Sequence, residues 1–437
     1  MKSIFLKFIF ILSLFLASCS ASKQIKHFAK NDVLNNPAFT PAHTGISIYE
    51  PATGKYLYNY QGDKYFVPAS NTKIATCYAA MKYLGDSLVG LKYVERDNEI
   101  IVYGAGDPTF LHPDFSQQRV FDFLKNTTKP IVFDNNAWKE ERWGPGWSWD
   151  DYSDYYMPEK SALPLYGNIV RIENHVNNPV VVPSFFKNDI EPDSSVNKNL
   201  FPASVKRNFF KNHFIITKGR ADEHYTETPF HVNDSIIIQL LQDTLHRKIG
   251  LADVAAGFEK QSVMKLFSRP VDSMLRPLMH HSDNFFAEQT LLMVSDHLLG
   301  VMNDELIIDT LLKKDFKDMP QKPYWVDGSG LSHYNLFSPK DFVFILNKMK
   351  NDFGMDRIKN ILETGGSGTI KSYYKADSGF IYAKTGTLSG VVAFSGFLYT
   401  KKNKLLIFST LINNHNTSSA IIRKAIEKFI EEVREKN

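Results

Sequence analysis

The sequence is poor in cysteine: its 437 residues hold two, Cys19 and Cys77. That excludes a scaffold stapled by several disulfides and a zinc site built on cysteine pairs. Charge of one sign is also missing. The formal net charge is +4, and no block of like charges is long enough to grip a polyphosphate backbone, so nucleic acid is not an expected partner. Neither G-x-G-x-x-G nor G-x-x-x-x-G-K-[ST] occurs, and "YGAGDPTF" (103 to 110), with its Asp107, reads as a structural turn. His280 and His281 are adjacent, face different ways on a helix and have no carboxylate at ligand spacing; no metal site is expected there. Beyond the first residues no apolar run reaches spanning length, and "KLLIFSTLI" (404 to 412) is the size of a buried strand.

What is present belongs to a folded protein. A hydrophobic fraction of 43% with 13% aromatics supports a packed core, and the length allows a second domain or a sizeable insertion. The opening "MKSIFLKFIFILSLFLASCSASK" has Lys2 and Lys7, an apolar run from Phe8 to Leu16, then small residues, which is the build of a secretory signal. Leu16-Ala17-Ser18-Cys19 looks like a bacterial lipobox, with Cys19 acylated as the mature N-terminus. Residues 1–19 are therefore read as a lipoprotein signal, 20–42 as a polar, Pro-punctuated linker, and the product as exported and lipid-anchored to the cell envelope, facing the periplasm.

"TGISIYEPATGKYLYNYQGD" (44 to 63) alternates around a Pro-Ala-Thr-Gly-Lys turn and predicts a hairpin. A helix follows from about Ser70 to Leu84, entered through Pro68 and stopped by Gly85. Residues 87–261 change character, with short strands, Asn-rich loops and the aromatic "RWGPGWSWDDYSDYYMP" (142 to 158), and predict a β-rich insertion. Those aromatics suit plain core and a binding wall equally. Helices return at 271–300, broken at "HHSDN", and around 339–351. Three strands and a helix striped by Ile422, Ile426, Phe429 and Val433 close the chain, a stripe that reads as core packing and not as a second membrane anchor. The fold class is α+β: an antiparallel sheet flanked by helices, built from 43–86 and 262–437 and split by the insertion.

S-x-x-K occurs six times, so "SNTK" at Ser70 and Lys73 carries weight only in context. That context is "SDN" at Ser282 to Asn284, breaking two helices, and "KTG" at Lys384 to Gly386, on a predicted strand. In this order the trio is the signature of serine β-lactamases and penicillin-binding proteins. Its chemistry is acyl transfer. Ser70 needs a base, which Lys73 one turn away provides if its proton is removed. Lys384 adds positive charge and pairs with a substrate carboxylate, beside the Thr385 hydroxyl. Gly386 leaves room for a substrate backbone along the strand. Ser282 relays a proton to the leaving amine, and Asn284 holds Lys73 and a substrate carbonyl. Backbone N–H groups of Ser70 and Thr387 are the natural oxyanion hole.

The blocks "PASNTK", "YGAGDPTF", "GPGWSWDDYSDYY", "HHSDNFFAEQ", "VDGSGLSHYNLFSP", "GGSGTIKSYY" and "AKTGTLSGVVAFSGF" together resemble the penicillin-binding D-alanyl-D-alanine carboxypeptidases of low-molecular-weight class C, the S13 peptidases. The 212 residues from Ser70 to Ser282 exceed what a class A β-lactamase accommodates. The resemblance implies the transpeptidase-like fold, acylation of Ser70 by the penultimate D-alanine, release of the terminal one, and D-alanyl-diaminopimelate endopeptidase activity in some members. It implies peptidoglycan stem peptides as substrates, β-lactams as acylating inhibitors, and no cofactor. It also places an acidic residue of the "WDD" region, mapped to Asp151 with Tyr156 nearby, at the free amino end of the stem peptide. His333 stands where the family often has Arg in "DGSGLSR", and the insertion is short for the largest members. The rival readings are a β-lactamase, for which no motif supplies a deacylation glutamate, and a peptidoglycan-binding scaffold with a vestigial site.

Overall fold

A computed structural model of the chain describes residues 21–173, 180–196, 204–218, 225–252 and 263–437. The expected signal segment 1–19, Cys19 and the expected boundary at 261 and 262 lie outside the described residues. Helix and antiparallel sheet are mixed, as the sequence predicts, and the chain divides into two compact units.

The first unit takes the chain up to Tyr78, Arg276–Ser282 and Leu311–Asn437. Its sheet has six strands: β1 (His43–Glu50), β2 (Lys55–Tyr60), β3 (Glu363–Thr364), β4 (Ile381–Leu388), β5 (Val391–Tyr399) and β6 (Leu405–Asn413), in the order β3-β4-β5-β6-β1-β2 and antiparallel throughout. β1 lies on β6, so the N-terminal hairpin completes the C-terminal meander. One face is apolar at every second residue. Val392 and Phe394 of β5, Phe408 and Ile412 of β6 and Ile46 and Ile48 of β1 form a core with Ile422, Ile426, Phe429 and Val433 of the closing helix Ser419–Lys436. Each such side chain taken from water contributes roughly 1.5–3 kcal/mol, which fixes the helix to the sheet.

The linker expected at 20–42 is not what the structure shows. Residues 21–28 are helical and run on into Ala29–Leu34. Ile25, Ala29 and Val33 recur every fourth residue, make one stripe, and are buried in the same core, while Asp32 pairs with Lys428 of the closing helix at 2.7 Å. A stripe three residues deep on a polar background is enough when a prepared apolar face awaits it.

The second unit comprises Ala79–Leu275 and Asp283–Thr310. It holds a five-stranded mixed sheet and two three-stranded sheets, but also the helices Arg119–Asn126, Asp234–Leu245 and Asn284–Leu299. It is thus wider and more helical than a β-rich 87–261 insertion. The reason is the helix Asn284–Leu299, which has no wet face from Phe285 to Ser295. Its Gln289 donates to the carbonyls of Gly106 at 3.0 Å and Ser161 at 2.8 Å and accepts from the Ser161 N–H, which commits the helix to this unit. Among the described residues no helix is long and apolar enough to cross a membrane.

Candidate active site

The segment before Lys73 is clamped at its entry. Asn413 at the end of β6 accepts from the Val67 N–H at 2.7 Å and donates to the Val67 carbonyl at 3.0 Å. Ala69 then takes a left-handed conformation, φ 47°, that an alanine adopts only under surrounding constraint. A 3-10 turn, Ala69–Thr72, carries Ser70, and the α-helix begins at Lys73 and runs to Tyr83. Ser70 therefore sits just ahead of the helix and not in its first α-turn. Asn71 ties this turn to the sheet, donating to Ser395 Oγ at 2.7 Å, which donates in turn to Ser409 Oγ at 2.8 Å.

Lys73 is fully buried, and its Nζ donates to Ser70 Oγ at 2.9 Å and to the Ser329 carbonyl at 2.7 Å. The loop that offers that carbonyl is organised by Asp327. Its carboxylate accepts from the Gly330 N–H at 2.8 Å, the Ser332 N–H at 2.7 Å and the Asn335 amide at 2.7 Å. Gly330 has φ +84°, and a Cβ there would strike the Ala69 carbonyl, so only glycine lets this loop meet the Ser70 turn. The "VDGSGLSHYN" block is thus scaffolding, with one backbone oxygen aimed at Lys73. His333 is exposed.

β4 carries Lys384, Thr385, Gly386 and Thr387. A Cβ on Gly386 would lie 2.7 Å from the Pro68 carbonyl and 3.0 Å from the Ser70 nitrogen. Its missing side chain therefore serves the close approach of strand to nucleophile turn, a reason not foreseen in the sequence. Lys384 is buried and donates to the Thr385 carbonyl at 3.0 Å. Burial pushes its pKa down to about 8; the Glu363 carboxylate opposes that and the Arg423 guanidinium adds to it.

Three residues around this strand were not singled out by sequence reasoning. Glu363, fully buried on β3, accepts from the Thr369 N–H at 2.5 Å and, more closely still, from its hydroxyl. Thr369 Oγ1 lies 2.5 Å from Thr385 Oγ1. Arg423 of the closing helix donates to Thr387 Oγ1 at 2.5 Å. Arg423 and Thr385 also line one small pocket with Tyr373, Phe394 and Ile426. The "GGSGTIKSYY" block marked the neighbourhood of Thr369, but no spacing rule points to a lone glutamate or to an arginine thirty-six residues beyond Thr387.

Ser282 closes the Arg276–Ser282 piece of the first unit in a left-handed conformation, φ 58°. Asp283 then caps the next helix, its carboxylate accepting from the Phe286 N–H at 2.9 Å. Asn284 belongs to the second unit, where its amide donates to the Tyr156 carbonyl at 2.9 Å. The Tyr156 hydroxyl donates to Asp154 at 3.1 Å, and burial together with Asp154 and Asp151 drives its pKa well above the usual phenol range. The structure thus gathers Ser70, Lys73, Lys384, Thr385, Gly386 and Thr387 in one unit, and Asn284, Tyr156 and Asp151 in the other. A buried lysine on a serine hydroxyl, beside a strand that carries a second lysine and two hydroxyls, is suited to acyl transfer.

Comparison with known proteins gives the same direction. Residues 29–433 match the model of the D-Ala-D-Ala carboxypeptidase 3 (S13) family. The D-alanyl-D-alanine carboxypeptidase DacB of Haemophilus influenzae is 24% identical over 405 residues, covering 82% of this chain and 83% of its own. The crystal structure of penicillin binding protein 4 (dacB) from the same organism superposes with a TM-score of 0.72 at 19% identity, over 94% of this chain and 98% of that one. Its complex with a β-lactam gives a TM-score of 0.67 at the same identity, over 94% and 99%. A predatory peptidoglycan endopeptidase of Bdellovibrio bacteriovorus gives 0.52 at 15% identity, over 90% and 92%. At these identities the structural likeness is one of fold.

Proposed function

The chain belongs to the S13 family of D-Ala-D-Ala carboxypeptidases, and from that membership we propose how its own residues perform the reaction. It is a serine-type D-Ala-D-Ala carboxypeptidase acting on peptidoglycan stem peptides, and it binds β-lactams. Ser70 Oγ attacks the carbonyl of the penultimate D-alanine as Lys73 takes the hydroxyl proton; the C–N bond breaks and that proton passes through Ser282 to the departing D-alanine amine. Water then attacks the ester, giving one of its protons to Ser70 Oγ as the ester C–O bond breaks and releasing the shortened peptide. Lys384 and the Thr387 hydroxyl face the substrate carboxylate with Thr385 beside them, and the Ser70 and Thr387 N–H groups face the developing oxyanion. The family's motifs, carried to this sequence, support Asn284 as the residue that holds the substrate amide and Asp151 with Tyr156 as those that receive the amino end of the stem. A β-lactam enters the same path and stalls at the ester. Cleavage of D-alanyl-diaminopimelate cross-bridges uses the same centre.

The observation that carries this reading is the 2.9 Å bond between a fully buried lysine and Ser70 Oγ. The chain's first residues support export and lipid attachment at Cys19, which acid-resistant labelling by a fatty-acid probe, lost in Cys19→Ala, would test. For the chemistry, residues 20–437 are incubated with a fluorescent penicillin and the intact mass is followed for hours beside Ser70→Ala. A lasting adduct lost in the variant supports the peptidase. Rapid decay of the adduct favours a β-lactamase, and no adduct in the parent chain overturns the acyl-enzyme.

A further inference from the structure

The Glu363 carboxylate has no part in the steps above, yet it is fully buried against the strand that carries the substrate-facing groups. Its residue pairs with Ala383, one place before Lys384. The fold makes room for it: a Cβ on Gly368 would collide with this carboxylate and lie 2.8 Å from the His280 carbonyl, and Gly368 has φ +49°. One Glu363 oxygen accepts from the Thr369 N–H and the other from the Thr369 hydroxyl. Burial pushes the Glu363 carboxyl above its usual range, and the Lys384 cation together with the Thr369 donors works against that and favours the carboxylate.

A threonine hydroxyl has one proton. Thr369 directs its proton to Glu363, so the 2.5 Å contact between Thr369 and Thr385 takes its proton from Thr385. Thr385 then turns lone pairs, not a donor, towards the cleft. Thr387 is the opposite case. Its oxygen accepts from Arg423 at 2.5 Å, which leaves its own proton for an anion. The groups whose charge reaches Lys384 are Glu363 on β3 and Arg423 on the closing helix, of opposite sign. His280, whose carbonyl approaches the same pocket, has its imidazole pushed towards the neutral form by burial and by Arg276 and His281.

The geometry points to Glu363 as a positioning residue of the acyl-transfer site: a counter-charge that keeps Lys384 an ammonium and, through Thr369, fixes the direction of the Thr385 hydroxyl. This rests on the acyl-enzyme reading above. Glu363→Gln keeps the shape and removes the charge; its amide can donate to Thr369 Oγ1 while its oxygen accepts the Thr369 N–H. Glu363→Asp keeps the charge and draws it back by one methylene. Thr369→Val breaks the hydroxyl chain and leaves the charge in place.

The test is the pH dependence of the second-order rate constant for acylation by a fluorescent penicillin. In Glu363→Gln the midpoint of the alkaline fall should move down by about one pH unit, since loss of a nearby anion lowers a lysine pKa. In Glu363→Asp it should move the same way by less, and this variant carries the test if the glutamine form does not fold. In Thr369→Val the midpoint should stay while the rate drops several-fold at every pH. An unmoved midpoint in both Glu363 variants, or an equal move in Thr369→Val, overturns the proposal. Absence of any Ser70 adduct in the parent chain is a different result, and it overturns the acyl-enzyme reading instead.

Discussion

Lys73 and Ser329 are joined by a 2.7 Å hydrogen bond from side-chain amine to backbone carbonyl. A carbonyl only accepts, so one N–H of Lys73 is permanently assigned to it. When Lys73 is a neutral amine, its lone pair can face Ser70 Oγ, 2.9 Å away. The carbonyl has no side chain to mutate, but Asp327 sets its place.

Asp327→Ala removes the acceptor of the Gly330 and Ser332 N–H groups and of the Asn335 amide. Unfolding free energy should fall by about 3 kcal/mol, because buried donors lose their partner. Acylation by penicillin should slow by about 100-fold as Lys73 loses its alignment. Denaturant titration and stopped-flow acylation measure the two effects separately.

Gly386→Ala introduces a methyl group 2.7 Å from the Pro68 carbonyl and 3.0 Å from the Ser70 nitrogen. Neither backbone can yield without moving the nucleophile turn away from β4. The expected result is a loss of acylation of about 100-fold with the far-ultraviolet spectrum unchanged. A variant that acylates at the parent rate would show that the strand and turn have slack.

Arg423→Ala removes the donor on Thr387 Oγ1 and a cation beside Lys384. KM for a peptide ending in a free D-alanine carboxylate should rise about tenfold, the scale of one charge-assisted hydrogen bond. The same peptide with an amidated end should show little change. Steady-state kinetics on the two peptides separates carboxylate recognition from general damage.

Lys384, with a pKa of about 8, is an ammonium below that pH and neutral above it. On the mechanism proposed above a substrate carboxylate meets this cation, so its contribution to kcat/KM should be level on the acid side and fall as pH rises through 8. The amidated peptide should lack that limb. A limb near the ordinary lysine value of 10.5 would mean that the site is wetter than its burial indicates.

The sequence made part of this visible because some of its signals are local. The alternation of β5 and β6 and the stripe Ile422, Ile426, Phe429 and Val433 declare an apolar face without reference to anything else. Three short motifs in order put Ser70, Lys73, Ser282 and Lys384 forward as candidates. Ile25, Ala29 and Val33 carried the same kind of stripe, but the lysines and asparagines around them resembled a tether, and only the closing helix supplies their partner face. Asn284 reads as part of the Ser70 unit until the buried flank Phe285–Ser295 shows where its helix is packed. Glu363 and Arg423 gave no signal, because a single charge acquires meaning only from what the fold sets beside it.

The stripe of Ile25, Ala29 and Val33 also fixes a length. If Cys19 carries lipid, the chain from it to the first described residue, 21, spans at most about 7 Å. From Ile25 on, the segment is held to the closing helix through the shared core and the Asp32–Lys428 pair. The catalytic unit would then ride directly on the bilayer surface, without a leash. Its working range would be a thin shell of cell wall next to the membrane, and cross-links farther out would lie beyond its reach.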